Sequence, residues 1–467
     1  MRALEILTLS TVLLAGCSFT TAAGLSECET SADCGKDRVC SNNFCLPLPT
    51  GCGTQYGDPS ADAVQIGAVL PLSISATNPE AGKDESETQG LNAILLALDE
   101  INQRGAAGKK ISLNLCDTAF DATRTAQQTQ WLVTEKKIVA LLTAGSSQTL
   151  AAADVTIKNN VLTMSSSGTS PELAAVADTN GGTVGLLWRT APSDVIQGKV
   201  IANLLRNDTR FNAATKIGLL YLDDPYGQGL FDVITAQLKG ASPAKTVKSI
   251  PYKRKDEPSI SLAVTQLDQA MAPNLTIVVG FEDDASLIIK RAANTINLKL
   301  GSGNQWFFTD SAKDAGLLED AAVRTQLQNA YGTAPATNGG QAFDSFQSRF
   351  QSKYTKDPSD YSFTAHSYDS MYLFGLAVAY SQGTSGSVTG PKMAEGLTKV
   401  SSGKVYQFTP VNFTDAAADL AAGRGIDVEG ASGSLQFDST GEAPSPIELW
   451  QVSSNTFKDV ENIPPPP

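Results

Sequence analysis

From residue 64 onward, short and nearly continuous apolar runs alternate with longer segments whose apolar residues recur every three or four positions. Val64–Leu70 is the first run, closed by Pro71, and Ile111–Cys116 is the second, stopping at Asp117. Runs of this length, apolar on both faces, read as strands buried in a parallel sheet. Between them Leu91, Ile94, Leu95, Leu98 and Ile101 fall at helical spacing, and Gly105 is the expected C-cap. A helix over 122–135 follows, with Asp121 at its N-cap. Strands alternating with helices in this rhythm predict a right-handed, doubly wound parallel sheet.

The stretch Ile138–Leu173 organises the rest. A strand over 138–144, apolar but for Thr143, meets Gly145-Ser146-Ser147 and turns into a helix ending near Asn159-Asn160. A second strand, Val161–Ser165, empties into Ser166-Ser167-Gly168-Thr169. Both strands deliver hydroxyls at their carboxyl ends just ahead of a helix start. Ligands of open α/β sheets bind at such ends, where helix N-terminal amides favour an anion. Serines are also ordinary N-caps, and taken alone the stretch fits that use better.

The rhythm breaks over Leu187–Pro192 and then restarts. Ile217–Leu222 reads as a strand leaving into Asp223–Gly229, and Leu230, Val233, Ile234 and Leu238 mark a helix. Leu275–Gly280 exits into Phe281-Glu282-Asp283-Asp284, and Gln305–Phe308 into Thr309-Asp310-Ser311. A second unit of the same type makes two lobes. The tail, Asn462–Pro467, reads as an extended, unpacked end.

Charge narrows the partners. The net charge is −13, and no Lys/Arg cluster exceeds Lys253-Arg254-Lys255, which argues against nucleic-acid binding and polybasic membrane docking. At the N-terminus Arg2 precedes the apolar run Ile6–Ala15, too short to span a bilayer. Leu14-Ala15-Gly16-Cys17 resembles a bacterial lipobox, which implies a signal peptide cleaved before Cys17 and a lipid anchor on that cysteine. Ser18 resembles the outer-membrane sorting pattern of Gram-negative lipoproteins.

Six cysteines then remain: Cys28, Cys34, Cys40, Cys45, Cys52 and Cys116. An even number in an exported chain favours disulfides, and the first segment has too few apolar residues to fold on a core. No Cys-x-x-Cys pair and no histidine is there to favour zinc. The spacing resembles short cysteine-rich modules of bacterial lipoproteins. Spacing alone does not fix connectivity; the pairing expected here is Cys28–Cys40 and Cys34–Cys45, with Cys52 and Cys116 paired or free.

Catalytic patterns are weak. The single histidine, His366, sits in an amphipathic-looking helical segment with Tyr368, Met371 and Phe374, which suggests a helix-surface or hinge residue. No Gly-x-Ser-x-Gly elbow, HExxH, Walker loop or Gly-x-Gly-x-x-Gly fingerprint occurs. Cys116 at a strand end is a conceivable nucleophile without a histidine in its segment. The reading is non-catalytic, without cofactor or metal.

Several spread motifs carry a family resemblance. They are Ile66–Leu72, Ala97–Gly105 (ALDEINQRG), Cys116-Asp117, Gly145–Thr149, Ser165–Leu173, Trp188–Ala191, Asp224–Gly227, His366–Ser370 and Gly433–Gly441. In this order, behind an export signal, the chain resembles the type I periplasmic binding protein family, in its leucine/isoleucine/valine-binding branch, over about Val64–Val452. Leu72-Ser73-Ile74 departs from it, standing where a Gly-rich turn is usual. The resemblance implies an α/β fold of two doubly wound parallel-sheet lobes, joined by three hinge crossings near Thr190–Pro192, Ala334–Asn338 and Asp427–Ala431.

The implied organisation is a signal peptide over 1–16, a lipidated Cys-rich module over 17–52 and a linker over 53–63. The first lobe takes 64–190 and 337–428, the second 191–336 and 429–460, and the tail 461–467. The resemblance places a ligand carboxylate on Ser146 and Thr169, with backbone help from Ser147 and Ser167. Tyr226 would stack on or hydrogen-bond the ligand. Asp310 would take an ammonium, a role open also to Glu282, Asp283 or Asp284, and Phe281 and Glu282 would line a side-chain pocket. The implied function is a lipid-anchored envelope protein that closes on an amino acid or analogue for an ABC permease. The alternative is an envelope sensor or interaction lipoprotein, of the kind that activates cell-wall synthases.

Overall fold

The computed structural model describes residues 26–29, 33–35, 38–41, 43–78, 80, 82–337 and 340–466; the lipobox and Cys17 lie outside them. Two compact units divide the chain, 1–53 and 54–467. In the first, β1 (Arg38–Ser41) and β2 (Phe44–Pro47) pair antiparallel. Disulfides join Cys28 to Cys40 and Cys34 to Cys45, the expected connectivity. Among its described residues only Cys28, Val39 and Cys45 are buried apolar groups, so the bridges stand in for a core. Cys52 and Cys116 are disulfide-bonded as well. Cys116 is therefore not a free thiol, which removes it as a nucleophile.

The first lobe begins with β3 (Cys52–Gly57), most of which belongs to the larger unit, β4 (Val64–Leu70), α1 (Glu85–Arg104) and β5 (Ile111–Asp117). It continues through α2 (Ala122–Glu135), β6 (Ala140–Thr143), α3 (Ser146–Thr156), β7 (Leu162–Ser165) and β8 (Leu187–Arg189). Their six-stranded sheet runs β3-β5-β4-β6-β7-β8. Every pairing from β5 to β8 is parallel. Asp121 caps α2 by accepting from Arg124 N, and Gly105 ends α1, as their positions predicted.

The second lobe follows with α4 (Asp194–Asn207), β9 (Lys216–Leu222), α5 (Pro225–Leu238), β10 (Thr246–Tyr252) and α6 (Glu257–Ala270). Then come β11 (Leu275–Val279), α7 (Glu282–Ala292), β12 (Gln305–Phe308), α8 (Ala321–Gln326) and β13 (Tyr331–Pro335). The chain returns to the first lobe as α9 (Gln341–Tyr354), α10 (Thr364–Ser385), α11 (Gly390–Leu397), β14 (Lys404–Gln407), α12 (Pro410–Ala421), β15 (Ile426–Gly430) and β16 (Gly433–Ser434). It closes with the hairpin β17 (Ile447–Ser453) and β18 (Thr456–Ile463). The second sheet runs β10-β9-β11-β12-β13-β17-β18, parallel up to β13 and antiparallel beyond it. At Gly332 a Cβ would come within 2.1 Å of the Trp450 indole, so the β13–β17 pairing holds only with glycine there.

The chain thus passes between the sheets three times, over 190–193, after Pro335 and over 435–446. The first two lie where they were expected. The third falls later than Asp427–Ala431, because β15 pairs with β14 and β16 in a small sheet packed into the first lobe's core. Asp369 on α10 fastens that sheet's final turn, accepting from Ala431 N at 2.8 Å, Ser432 N at 2.7 Å and Ser432 Oγ at 2.5 Å. The crossings are laced together. Arg189 pairs with Glu442, Arg189 N donates to Gly441 O at 3.0 Å, and Ala336 N donates to Pro446 O at 2.9 Å. The tail also differs from expectation, since Asn462 and Ile463 belong to β18 and pair with β17.

His366 is not a surface residue. From Thr364 to Ser381 every residue of α10 is buried, so the helix is enclosed on all sides and presents no solvent face. Burial pushes the imidazole down to about 3, leaving it neutral, while its carbonyl accepts from Thr190 Oγ1 at 3.1 Å at the first crossing.

Candidate functional site

In each lobe the strand order reverses beside one central strand, β4 between β5 and β6, and β9 between β10 and β11. Crevices open beyond the carboxyl ends of strands at such switch points. Here the two crevices face each other and share a cavity of about 550 Å3. Its walls come from the exits of β6, β7, β9, β11 and β12: Gly145–Gln148, Ser167, Leu222–Asp224, Phe281–Asp283 and Asp310.

On the first wall, α3 starts at Gly145, whose φ of 77° favours glycine, and no side chain caps the helix. Its opening amides therefore border the cavity without a capping oxygen. Ser146 Oγ accepts from Thr169 N at 3.2 Å and Ser170 N at 3.1 Å, stapling the β7 exit to the helix. Ser167 Oγ accepts from Gly145 N at 2.9 Å. The hydroxyls are therefore partly N-cap-like staples, yet Ser146, Ser147 and Ser167 all line the cavity. Thr169 does not. Its hydroxyl is buried behind them, beside the Asp194 carboxyl.

On the second wall Tyr226 is buried, and its hydroxyl donates to Asp310 Oδ1 at 2.5 Å and bonds Thr309 Oγ1 at 2.8 Å. Asp310 is fully buried with Gln197 close to its carboxyl, and its Oδ2 makes no hydrogen bond of ordinary geometry among the described residues. Burial pushes the Asp310 carboxyl up to about 6, against the pull of the Tyr226 hydrogen bond. Asp194 goes well above the carboxylate range through burial and then the charge of Asp310. Asp310 does not cap the next helical turn, which Asp314 does by accepting from Gly316 N at 2.7 Å. Phe281 and Glu282 lie where the β11 exit enters the cavity.

Several contacts span the cavity. Ser147 Oγ donates to Asp224 Oδ2 at 3.1 Å, and Ser362 Oγ donates to the Asp310 carbonyl at 2.7 Å. Arg254, from the loop after β10, stacks between Phe120 at 3.5 Å and Phe281 at 3.7 Å, and reaches Asp84 at 3.3 Å and Asp283 at 3.5 Å. Phe120 is held at φ 59°, an uncommon conformation for a bulky residue. Arg254 had one mark in the sequence, as the centre of its longest run of basic residues. Nothing marked Asp84, Phe120, Asp194 or Asp314, which meet Arg254, Asp310 and Glu282 only in the folded chain.

The chain resembles known proteins over most of its length. It is 24% identical over 415 residues to a chemotactic signal transduction system substrate-binding protein, BasB, of Halobacterium salinarum, covering 85% of this chain and 88% of that one. It is 26% identical over 315 residues to a Leu/Ile/Val-binding protein homolog of Brucella abortus, covering 66% and 75%. The leucine binding protein LivK of Thermotoga maritima shares its fold with a TM-score of 0.68 at 18% identity, covering 86% of this chain and 99% of that one. Among the described residues no helix is long and apolar enough to cross a membrane. With two facing α/β lobes around one cavity, and the periplasmic binding protein model matching residues 63–454, the chain belongs to the periplasmic binding protein family.

Proposed function

We propose that this chain is an envelope solute-binding protein that closes its two lobes on an α-amino acid. One observation carries the reading: the uncapped start of α3, with Ser146 and Ser147, faces across the cavity to a buried Asp310 whose Oδ2 makes no hydrogen bond of ordinary geometry among the described residues. The amides and hydroxyls suit a carboxylate, and Asp310 with Tyr226 suits an ammonium. Phe281 and Glu282 bound the ligand side chain, Ser167 supports the Gly145 turn, and Thr169 lies behind Ser146. The names of the Brucella and Thermotoga relatives favour an amino acid. Lipidation at Cys17 would hold the protein at a membrane, and an ABC permease would receive the ligand.

The test is a thermal-shift and calorimetric screen of the full chain against the common amino acids. A ligand at a hundred times its Kd adds about 2.7 kcal/mol of stability. The reading expects such a shift, lost in S146A; a folded protein that responds to no amino acid refutes it. The anchor is tested by incorporation of a labelled fatty acid, lost in C17S.

A sensor role on the same fold is favoured by one observation, the chemotactic relative in Halobacterium. Ligand-dependent capture of a receptor rather than a permease would establish it.

A further inference from the structure

We infer that the cavity holds a second cation subsite, formed by Glu282 and Asp314, and that the ligand is a basic amino acid with a positive charge at each end of its side-chain span. The inference rests on the amino-acid reading above.

The two carboxyls converge although they leave different strands. Glu282 opens α7 after β11, and Asp314 follows β12, the parallel neighbour of β11. A Cβ placed on Gly316 would lie 3.1 Å from Glu282 Cδ, 3.2 Å from Glu282 Oε1 and 3.2 Å from Asp314 Oδ1. Both acids thus close over one glycine on the cavity wall. A larger residue there would fill the space between them.

Neither acid forms an ion pair among the described residues, and of the five bases lining the cavity all but the exposed Lys253 are paired with other carboxylates. Lys83 pairs with Asp117 at 3.0 Å, Lys356 with Glu85 at 2.8 Å, Lys313 with Glu448, and Arg254 with Asp84 and Asp283. Carboxyls outnumber bases along the walls. Burial, and then the charge of Asp314, pushes Glu282 up to about 8, and burial pushes Asp314 up to about 7. The charge of Lys255 reaches Glu282, but that lysine is paired with Asp283, so the two carboxyls gain from a further cation.

A separate observation points to a ligand at the other end. Asp310 is fully buried on the same cavity with Oδ2 making no hydrogen bond of ordinary geometry among the described residues, which places a first cation beside Tyr226. The cavity is therefore lined both by Asp310 and by the Glu282–Asp314 pair, and Phe281 on the same lining suits a methylene stem. Arg254 shows the chemistry within the molecule itself, a guanidinium between Phe120 and Phe281 with carboxylates at its edge.

The test compares lysine, ornithine and arginine with leucine, isoleucine and valine by calorimetry on the full chain, with E282Q and D314N alongside. The inference expects at least one basic amino acid to bind tenfold or more tightly than leucine. Both variants should then lower that ratio at least tenfold while keeping a wild-type circular dichroism spectrum. Leucine binding as tightly as lysine, or a ratio unmoved by E282Q and D314N, overturns the subsite and leaves the amino-acid reading standing. Failure of every amino acid overturns both.

Discussion

The guanidinium carbon of Arg254 lies 3.5 Å from the ring centroid of Phe120, so a cation from the second lobe is stacked on an aromatic ring of the first. With Asp84 also in the first lobe, Arg254 works as a latch across the cleft. Arg254→Ala should cost on the order of 2 kcal/mol through the lost stacking and Asp84 left without its ion-pair partner, while Asp283 keeps Lys255. Small-angle scattering of the unliganded variant should show a larger radius of gyration. Arg254→Lys keeps the charge but not the planar stack and should recover only part of the effect.

The hydrogen bond from Ser147 to Asp224 is a second tie between the lobes, and an isolated one. Ser147→Ala should weaken ligand binding by about 1 kcal/mol, roughly fivefold, with little change in unliganded stability. Titration calorimetry reads the affinity and a melting curve the stability.

Asp310 should separate binding from stability. Next to Asp194 in the interior its charge is a liability in the empty protein, as the raised values of both carboxyls show. Asp310→Asn should therefore leave the unliganded melting temperature unchanged or higher. The same change should cost about 2 kcal/mol or more in amino-acid affinity, because a buried ammonium loses its counter-charge.

Stability should fall as the solution becomes alkaline. Glu282 and Glu87 are raised to about 8, Glu87 by burial and the charge of Asp84; Asp314 and Asp284 are raised to about 7 by burial. Between the ordinary carboxylate range and these values the folded state holds protons that the unfolded chain has released, so stability declines with rising pH. Buried neutral His366 acts oppositely, adding stability as pH rises from about 3 to its ordinary value of 6.5. The melting temperature of the unliganded chain should thus peak under mildly acidic conditions and drop towards pH 8.5. A basic ligand should flatten the drop. A scan of melting temperature against pH, with and without lysine, checks both.

Much of the fold was legible because buried parallel strands leave continuous apolar runs. Val64–Leu70, Gln305–Phe308 and the helix over 122–135 match their expected bounds. The edge strand β10 was not read, since Thr246–Tyr252 mixes exposed polar positions with Pro251, which an edge strand tolerates. The closing hairpin was missed for a related reason: its turn at Ser454-Asn455 uses two positive φ angles without a glycine to announce them. The cavity followed the same division. Residues directly at strand exits, such as Ser146, Phe281 and Asp310, could be placed from the pattern. Arg254 with Phe120, and Glu282 with Asp314, meet only through the packing of separate elements, which no local periodicity records.

The clasp that Asp369 makes on Ala431 and Ser432 bears on how the cleft can move. Because that turn is riveted to the most deeply buried helix of the first lobe, the slack of the third connection is confined to 435–446. Arg189 grips Glu442 within that short span. The fulcrum is therefore narrow and lies at one edge of the cleft, so any swing of the lobes is widest at the opposite rim, and a bulky insertion there would be tolerated far better than one beside Glu442.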